Sequence, residues 1–287
     1  MNRLVLICAA GLLAGGVLVS GQSTAVPSPR RGAGDSVTGA YEGWYYNADG
    51  SRSFLVGYYN RNSQQELDIP VGPNNRIEPG GPDMGQPTHF LPGRQWGIFI
   101  VNAPKEFKPK DSFTWTIVAN GQSTSIPFRL NGDYVMSPFS EIAVGNTPPV
   151  LKFDPNSTGA QGPISHMATA ASMMASVSAP LTLNLWASDD MKYTSGTGAP
   201  PSGSRTPVTV RVSKYRGPGA VTFDKARPDL EKLPGGAPFN GKATVQAKFA
   251  EPGDYVLHVT GNDYSGDGGG GFGCCWSTAL VKVAVKP

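Results

Sequence analysis

The sequence is built from short runs in which apolar and polar residues alternate, and these runs predict a β fold. Alternation with a period of two places one face of a strand toward a core. Four such sets lie in the second half of the chain: Leu181, Leu183 and Leu185; Val208, Val210 and Val212; Tyr255, Leu257 and Val259; Val281, Val283 and Val285. No segment after the N-terminal apolar run sustains a convincing helical stripe, and residues 164–177, rich in Ala and Met, are ambiguous.

Turn signals divide the first half into further strands. Asp49-Gly50 lies between two aromatic runs, and Asn120-Gly121 follows an alternating run that begins at Phe113. Such pairs favour tight hairpin turns. The chain has 37 glycines and 26 prolines among 287 residues without a collagen repeat, as in a folded protein with many turns. Further strands are expected at residues 65–71, 96–102, 113–119 and 124–130.

The first residues resemble an export signal. Arg3 precedes an apolar run over residues 4–19, and small or polar residues follow up to Gly21. The alternative is a membrane anchor, which needs about 20 mostly apolar residues. We expect cleavage after Gly21, no transmembrane segment in the mature chain, and an extracytoplasmic protein that is periplasmic, surface-associated or secreted. The net charge is only +3 and no basic block occurs, so nucleic acid is not an expected partner.

These patterns divide the chain into four parts. A stretch with no large apolar residue except Val26 and Val37 marks a flexible tether after the signal, and the Pro-rich stretch 144–150 marks a linker. Each of the two remaining parts is long enough to bury a core. The predicted organisation is a signal peptide over 1–21, a tether over 22–38, and antiparallel β-sandwiches over 39–143 and 144–287.

The second half resembles the polycystic-kidney-disease (PKD) type of immunoglobulin-like domain. The similarity rests on a Val-x-Phe strand, a Phe-x-x-Pro-Gly-x-Tyr-x-Leu segment and a closing Val-x-Val-x-Val strand, found at 221–223, 249–257 and 281–285. The chain lacks the Trp-Asp-Phe-Gly-Asp-Gly segment of that family and inserts a glycine run and two cysteines before its last strand. With this resemblance, the predicted fold is all-β, with two antiparallel immunoglobulin-like β-sandwich domains.

The resemblance implies a spacer or binding module rather than an enzyme. We therefore expect an exported, non-catalytic binding or scaffold protein, whose partner is an envelope or extracellular protein or a glycan. No catalytic residues are predicted. An alternative is an accessory carbohydrate-binding protein that uses aromatic side chains of the first domain and the turn-rich loop over residues 72–93. That loop is otherwise an ordinary surface loop held by prolines.

Six residues are candidates for ligand binding. Adjacent rings on two paired strands point to opposite faces, so one face fills a core and the other leaves a row of rings. Such a row binds sugars or proteins, or is covered by the second domain. The candidates, which include a histidine in the long loop, an arginine just beyond it and a tryptophan beside the cysteines, are Trp44, Tyr46, Tyr58, His89, Arg94 and Trp276.

The adjacent cysteines Cys274 and Cys275 are the only ones left after the signal. In an oxidising compartment they pair with each other or with another molecule. A bond between them would fix the start of the last strand or shape a ligand-contacting loop, whereas intermolecular bridging is a third reading.

An acidic loop nearby suggests a cation site. Asp263, Ser265 and Asp267 place oxygens at alternating positions, and Asp189 and Asp190 would join them if both loops lie at one end of the domain. These residues are also ordinary turn formers. No cofactor is expected, and calcium stands as a hypothesis.

Overall fold

The computed structural model describes residues 31–81, 83–141, 145–163, 169–192, 206–263 and 274–287. Within them the first half forms eight strands and one 3-10 turn, Gly132–Tyr134. The strands are β1 (Val37–Tyr46), β2 (Arg52–Asn60), β3 (Leu67–Asp68), β4 (Asn75–Glu78), β5 (His89–Phe90), β6 (Gly93–Ala103), β7 (Phe113–Ala119) and β8 (Gln122–Phe128).

Two antiparallel sheets form the first sandwich. Their strand orders are β1-β2-β6 and β4-β7-β8, and β3 pairs with β5 separately. When the short pair β3 and β5 is left out, these orders correspond to strands A-B-E and C-F-G of an immunoglobulin domain. The predicted hairpin at Asn120-Gly121 is confirmed, because both residues have positive φ angles, 49° and 75°, as a type I′ turn requires.

The expected tether ends earlier than the sequence pattern indicates. β1 begins at Val37, which is fully buried, and the residues before it are already bound to the first sandwich. The carbonyl groups of Arg31 and Ser36 accept hydrogen bonds from the backbone of Ser63 and Arg61. Residues 31–36 therefore belong to the folded unit, because backbone pairing replaces the apolar side chains that they lack.

The second half forms nine strands. They are β9 (Val150–Lys152), β10 (Ala171–Ser176), β11 (Leu181–Asp189), β12 (Val208–Arg216), β13 (Val221–Phe223), β14 (Glu231–Lys232), β15 (Phe239–Phe249), β16 (Gly253–Asp263) and β17 (Trp276–Lys286). The described part of the ambiguous stretch 164–177 contains β10, which pairs in parallel with β17.

The second sandwich also has the immunoglobulin strand order. One sheet is β13-β15-β11-β9, and the facing sheet is β10-β17-β16-β12, which correspond to D-E-B-A and A′-G-F-C. Tyr255, near the start of β16, donates its hydroxyl to the carbonyl of Glu251 at 2.8 Å and accepts from the Gly219 amide at 3.0 Å. This is the tyrosine corner typical of such domains. The chain is thus an all-β protein of immunoglobulin-like sandwiches.

The two sandwiches are packed together. The outer face of β12, β16 and β17 lies against the first sandwich, and Tyr215 and Leu280 complete its hydrophobic core. The second sandwich has its own core between its two sheets. The Pro-rich connection therefore joins two cores that share a contact surface. No helix in the described part of the chain is long and apolar enough to cross a membrane.

Candidate functional site

The junction between the sandwiches contains a lysine that is withdrawn from water. The side chain of Lys214 is only 3 % exposed, and its Nζ lies 2.8 Å from Oδ1 of Asp68. His89 places Nδ1 3.0 Å from the same Asp68 oxygen and Nε2 3.2 Å from Glu66. Partial burial raises the pKa of Asp68, but hydrogen bonds from His89 and Lys214 outweigh it and lower the pKa overall. This network holds β12 against β3 and β5.

A second set of contacts fixes the loop before β5. Arg216 forms a bidentate ion pair with Asp83, with distances of 2.7 and 2.8 Å. The Tyr215 hydroxyl donates to the carbonyl of Gly85, and the Tyr215 carbonyl accepts from the Thr88 amide at 3.1 Å. Residues 83–88 are therefore positioned by the second sandwich as well as by the first.

The predicted row of exposed rings does not form. Trp44 and Tyr58 are buried in the first core, where Trp44 donates Nε1 to the Asn131 carbonyl at 2.7 Å and the Tyr58 hydroxyl accepts from the Leu91 amide at 2.8 Å. Tyr45, on the opposite face of β1, packs with Trp276 of the second sandwich. Of the two readings left open by the sequence, coverage by the second domain is the one observed.

Three further candidates have side chains that are engaged in contacts within the protein: His89, Arg94 and Trp276. The guanidinium of Arg94 lies 2.7 Å from Glu42 and 3.7 Å above the ring of Trp96. Burial raises the pKa of Glu42, and the neighbouring Arg94 and the Gly97 amide offset part of this effect. The indole of Trp276 is buried and packs on Gly97, whose φ of +55° and missing side chain make room for it.

Four large apolar side chains remain exposed along the edge of β1. We call this set the aromatic ridge; its members, with their exposed fractions, are Tyr46 (61 %), Tyr134 (49 %), Val135 (48 %) and Phe139 (44 %). Each contacts or pairs with a β1 residue: Tyr46 and Val135 with Trp44, Tyr134 with Tyr41, and Phe139 with Tyr45. Only Tyr46 was predicted from the sequence. The other three follow β8 without alternation, and large apolar residues in a turn-rich stretch were their only signal.

A cavity of about 520 Å³ opens at one end of the first sandwich. It lies between the loop that precedes β5 and the loop between β6 and β7. Its lining residues are Pro79, Gly80, Met84, Asn102, Pro104, Phe107, Asp111, Ser112 and Phe113. The turn-rich loop 72–93 thus contributes one wall, whereas no sequence motif marked the opposite wall at 104–112.

The vicinal disulfide is present between Cys274 and Cys275, and both residues are buried. The peptide bond between them is cis, and their Cα atoms are 3.2 Å apart. Cys275 contacts Asn146, with its Sγ 3.6 Å from the Asn146 carbonyl oxygen. The bond lies directly before β17, which begins at Trp276. The glycine-rich residues before it lie outside the described residues.

Three of the four predicted metal ligands gather at one end of the second sandwich. Asn146 donates to Asp263 at 2.7 Å, and the next residue, Thr147, donates to Asp190 at 3.0 Å. Asp189 accepts from the Met191 amide at 2.8 Å, and Asp267 lies outside the described residues. Across the residues that the structure describes, no group of three His, Cys, Asp or Glu side chains could hold a metal ion. The calcium site stays a prediction.

Comparisons with known proteins give no family. No family model matches the chain, and no curated protein sequence matches it. Domains 4 and 5 of the S-layer protein SbsC match with 10 % identity, a TM-score of 0.22, and coverage of 88 % of this chain and 98 % of that chain.

Two further solved structures match at the same level. A protein of unknown function from Porphyromonas gingivalis has 9 % identity and a TM-score of 0.23, and covers 87 % of this chain and 100 % of its own. Tandem immunoglobulin domains of titin have 9 % identity and a TM-score of 0.21, and the match covers 88 % of this chain and 99 % of that chain. At these TM-scores the matches carry no argument, so the fold rests on the strand order.

Proposed function

We propose that the protein is an exported, non-catalytic binding or scaffold protein that acts in the envelope or the extracellular space. Its second sandwich would be a module of the PKD type. The charged side chains at the junction support this reading, because Lys214, Asp68 and His89 are engaged with one another and hold the sandwiches together. A rigid pair of sandwiches is suited to presenting a surface to a partner.

The aromatic ridge is the observation that carries the proposal. The four large apolar side chains, each between 44 % and 61 % exposed, concentrate apolar surface around β1, and burial of such surface against a partner is favourable. Tyrosine and phenylalanine are enriched in the buried centres of protein interfaces. The ridge rings contact the buried Trp44 and Tyr45, so they are held in place before a partner arrives. We therefore propose a protein partner.

A comparative pull-down tests this proposal. Tagged mature chain would be mixed with the solubilised envelope of the source cells, and bound proteins quantified by mass spectrometry. A double variant, Tyr46→Ser with Phe139→Ser, removes two ridge rings. Met174→Ser is the matched control, because Met174 is an exposed apolar side chain (59 %) on the second sandwich. We expect one stoichiometric partner with the wild type and the control, and its loss with the double variant. Equal capture by all three chains, or capture by none, would contradict the proposal.

A carbohydrate-binding role is the second candidate, and it retains the loop 72–93 of the predicted site but not its aromatic side chains. Trp44 and Tyr58 are buried and present no ring face to a sugar. The cavity beside the loop 72–93 favours this candidate, since its volume of about 520 Å³ lies within the range of roughly 300–1,000 Å³ found for ligand pockets.

A further inference from the structure

We propose that the cavity of the first sandwich binds one ring of an uncharged sugar. This inference rests on the second candidate function and is independent of the aromatic ridge. The cavity has an apolar floor, a polar rim, walls that are fixed before binding, and charges of both signs around it.

The floor and side walls are apolar. Phe107 and Phe113 form the floor, but their rings stack on each other with centroids 4.9 Å apart and are buried in the first core, so most of the open apolar surface belongs to the side walls. Pro79, Pro104 and Met84 line the sides. Such a surface matches the C–H face of a pyranose ring, whose burial from water is favourable in the same way as that of other apolar surface.

The rim carries three polar side chains with complementary hydrogen-bonding capacity. The Asn102 oxygen accepts from Ser53 at 2.9 Å, which orients its amide N–H groups as donors toward other partners. Oδ2 of Asp111 accepts a hydrogen bond from the Lys108 backbone amide at 2.7 Å. The other carboxylate oxygen of Asp111 can accept a hydrogen bond from a ligand. The hydroxyl of Ser112 both donates and accepts. Vicinal sugar hydroxyls, which also donate and accept, match this set.

One wall is held from within the first sandwich. Arg52 donates Nη2 to the carbonyl groups of Lys105 and Phe107, at 3.2 and 3.0 Å. Within the same loop, the Phe107 amide donates to Pro104 at 3.0 Å and the Asp111 amide donates to Lys108 at 2.9 Å. Two consecutive turns therefore set the rim before a ligand arrives, which reduces the ordering cost of binding.

The opposite wall is held from the second sandwich. Met84 lies next to Asp83, and Arg216 fixes Asp83 through the bidentate pair. The Met84 amide also donates to the Gln86 side chain at 2.8 Å. The packing of the two sandwiches thus sets the width of the cavity in the first one.

The charges around the cavity are of mixed sign. Among the described lining residues, Asp111 is the one ionisable side chain, and it attracts a cation and repels an anion. The same loop carries exposed charges of both signs, which offset one another in part; they are Lys105, Glu106, Lys108 and Lys110. An uncharged hydroxylated ring uses the polar rim without depending on either charge.

Saturation-transfer NMR on the mature chain tests the inference. The probes are glucose, galactose, mannose and N-acetylglucosamine, with glucuronate as an anionic comparison and anilinonaphthalene sulfonate as an apolar one. Asn102→Ala removes a rim donor from an exposed position, and Ser112→Phe fills the cavity. Lys110→Ala is the matched control, because Lys110 lies on the same loop but not in the lining.

We expect saturation transfer to the ring protons of at least one neutral sugar, unchanged in Lys110→Ala. Asn102→Ala loses one hydrogen bond, so its affinity for the sugar should be about three- to tenfold weaker. Ser112→Phe should abolish saturation transfer, and its circular dichroism spectrum should match that of the wild type. Absence of transfer from all four sugars would overturn the inference, as would transfer that persists in Ser112→Phe. If glucuronate or anilinonaphthalene sulfonate bound more tightly than the neutral sugars, and Ser112→Phe abolished that binding, the cavity would be a site for an anionic or an apolar ligand and the inference would be overturned. These variants leave the aromatic ridge unchanged, so the two proposals fail separately.

Discussion

Arg216 of the second sandwich forms a bidentate ion pair with Asp83 of the first, at 2.7 and 2.8 Å, and this pair ties the cavity wall to the junction. Burial lowers the pKa of the Arg216 guanidinium, but the bond to Asp83 outweighs it and raises the pKa overall. Bidentate geometry of this kind adds orientation as well as energy. The junction therefore does more than connect two modules, since it sets the shape of a loop in one of them.

Breaking the Lys214–Asp68 pair from either side should give unequal losses of stability. Asp68→Asn leaves the charge of the buried Lys214 without its carboxylate, and we expect it to lower the free energy of unfolding by about 2 kcal/mol. Lys214→Met removes the charge and keeps most of the volume, while the half-exposed Asp68 retains His89, so we expect a smaller loss. Urea unfolding at pH 7 measures both. A larger loss in Lys214→Met would contradict this account of the junction.

Stability should fall between about pH 6.5 and pH 4 because of His258. Burial, followed by the charge of Arg211, lowers the pKa of His258 from 6.5 to about 4. As the pH falls through 6.5, the unfolded chain binds a proton that the folded chain excludes, so stability present above pH 6.5 is lost progressively, by up to about 3 kcal/mol. Asp68, whose pKa is lowered, adds its own loss only at still lower pH.

The variant His258→Phe isolates this effect. It keeps an aromatic ring stacked on Tyr215, which lies 5.6 Å from His258 between ring centroids, and it removes the titrating group. Thermal unfolding from pH 7.5 to pH 4.5 should show a shallower decline in melting temperature for the variant than for the wild type. Parallel declines would rule out His258 as the source.

Gly97 should tolerate substitution less well than another glycine of similar backbone conformation. A Cβ at Gly97 would lie 2.7 Å from the Trp276 indole, and φ is +55°. We expect Gly97→Ala to lower the free energy of unfolding by about 2–4 kcal/mol, from backbone strain and overpacking together. Gly121→Ala, at φ +75° with no neighbour within 4 Å, carries the backbone cost alone and should lose about 1 kcal/mol. Equal losses in urea titrations would show that Trp276 does not pack on Gly97.

The bond between Cys274 and Cys275 predicts a specific alkylation pattern. Mature protein unfolded in guanidinium without reductant should take up no iodoacetamide, and after treatment with a dithiol it should take up two equivalents. Unfolding is included because both cysteines are buried in the folded chain. Mass spectrometry reads the outcome, and two alkyl groups without reductant would show free thiols.

Local patterns predicted most of the strands, because alternation and turn residues are properties of a few neighbouring residues. β7 and the Asn120-Gly121 hairpin were found in this way. His258 shows the limit of such reasoning: alternation places it on the outer face of β16, which suggests exposure, yet that face is covered by the first sandwich. Alternation with a period of two indicates which side chains share a strand face, but it does not show whether another part of the protein covers that face.

The candidate sites were harder to predict for the same reason. The sequence predicts Trp44 and Tyr58 as ligand-binding rings, but both are buried in the core of the first sandwich. Tyr45, on the other face of β1, packs with Trp276 of the second sandwich, and Tyr46 remains exposed. The cavity depends on two loops that are far apart in sequence, at 79–84 and 104–112. Neither loop carries a motif, so only the three-dimensional arrangement shows that they face each other.

The account of the junction requires the two sandwiches to move as one body, and ¹⁵N relaxation of the mature chain tests this most directly. If the junction holds, backbone amides in the strands of both sandwiches should report one overall rotational correlation time, that of a particle of about the full chain's mass. Two separate and shorter correlation times, one for each sandwich, would show independent modules joined by a flexible connection and would contradict the account.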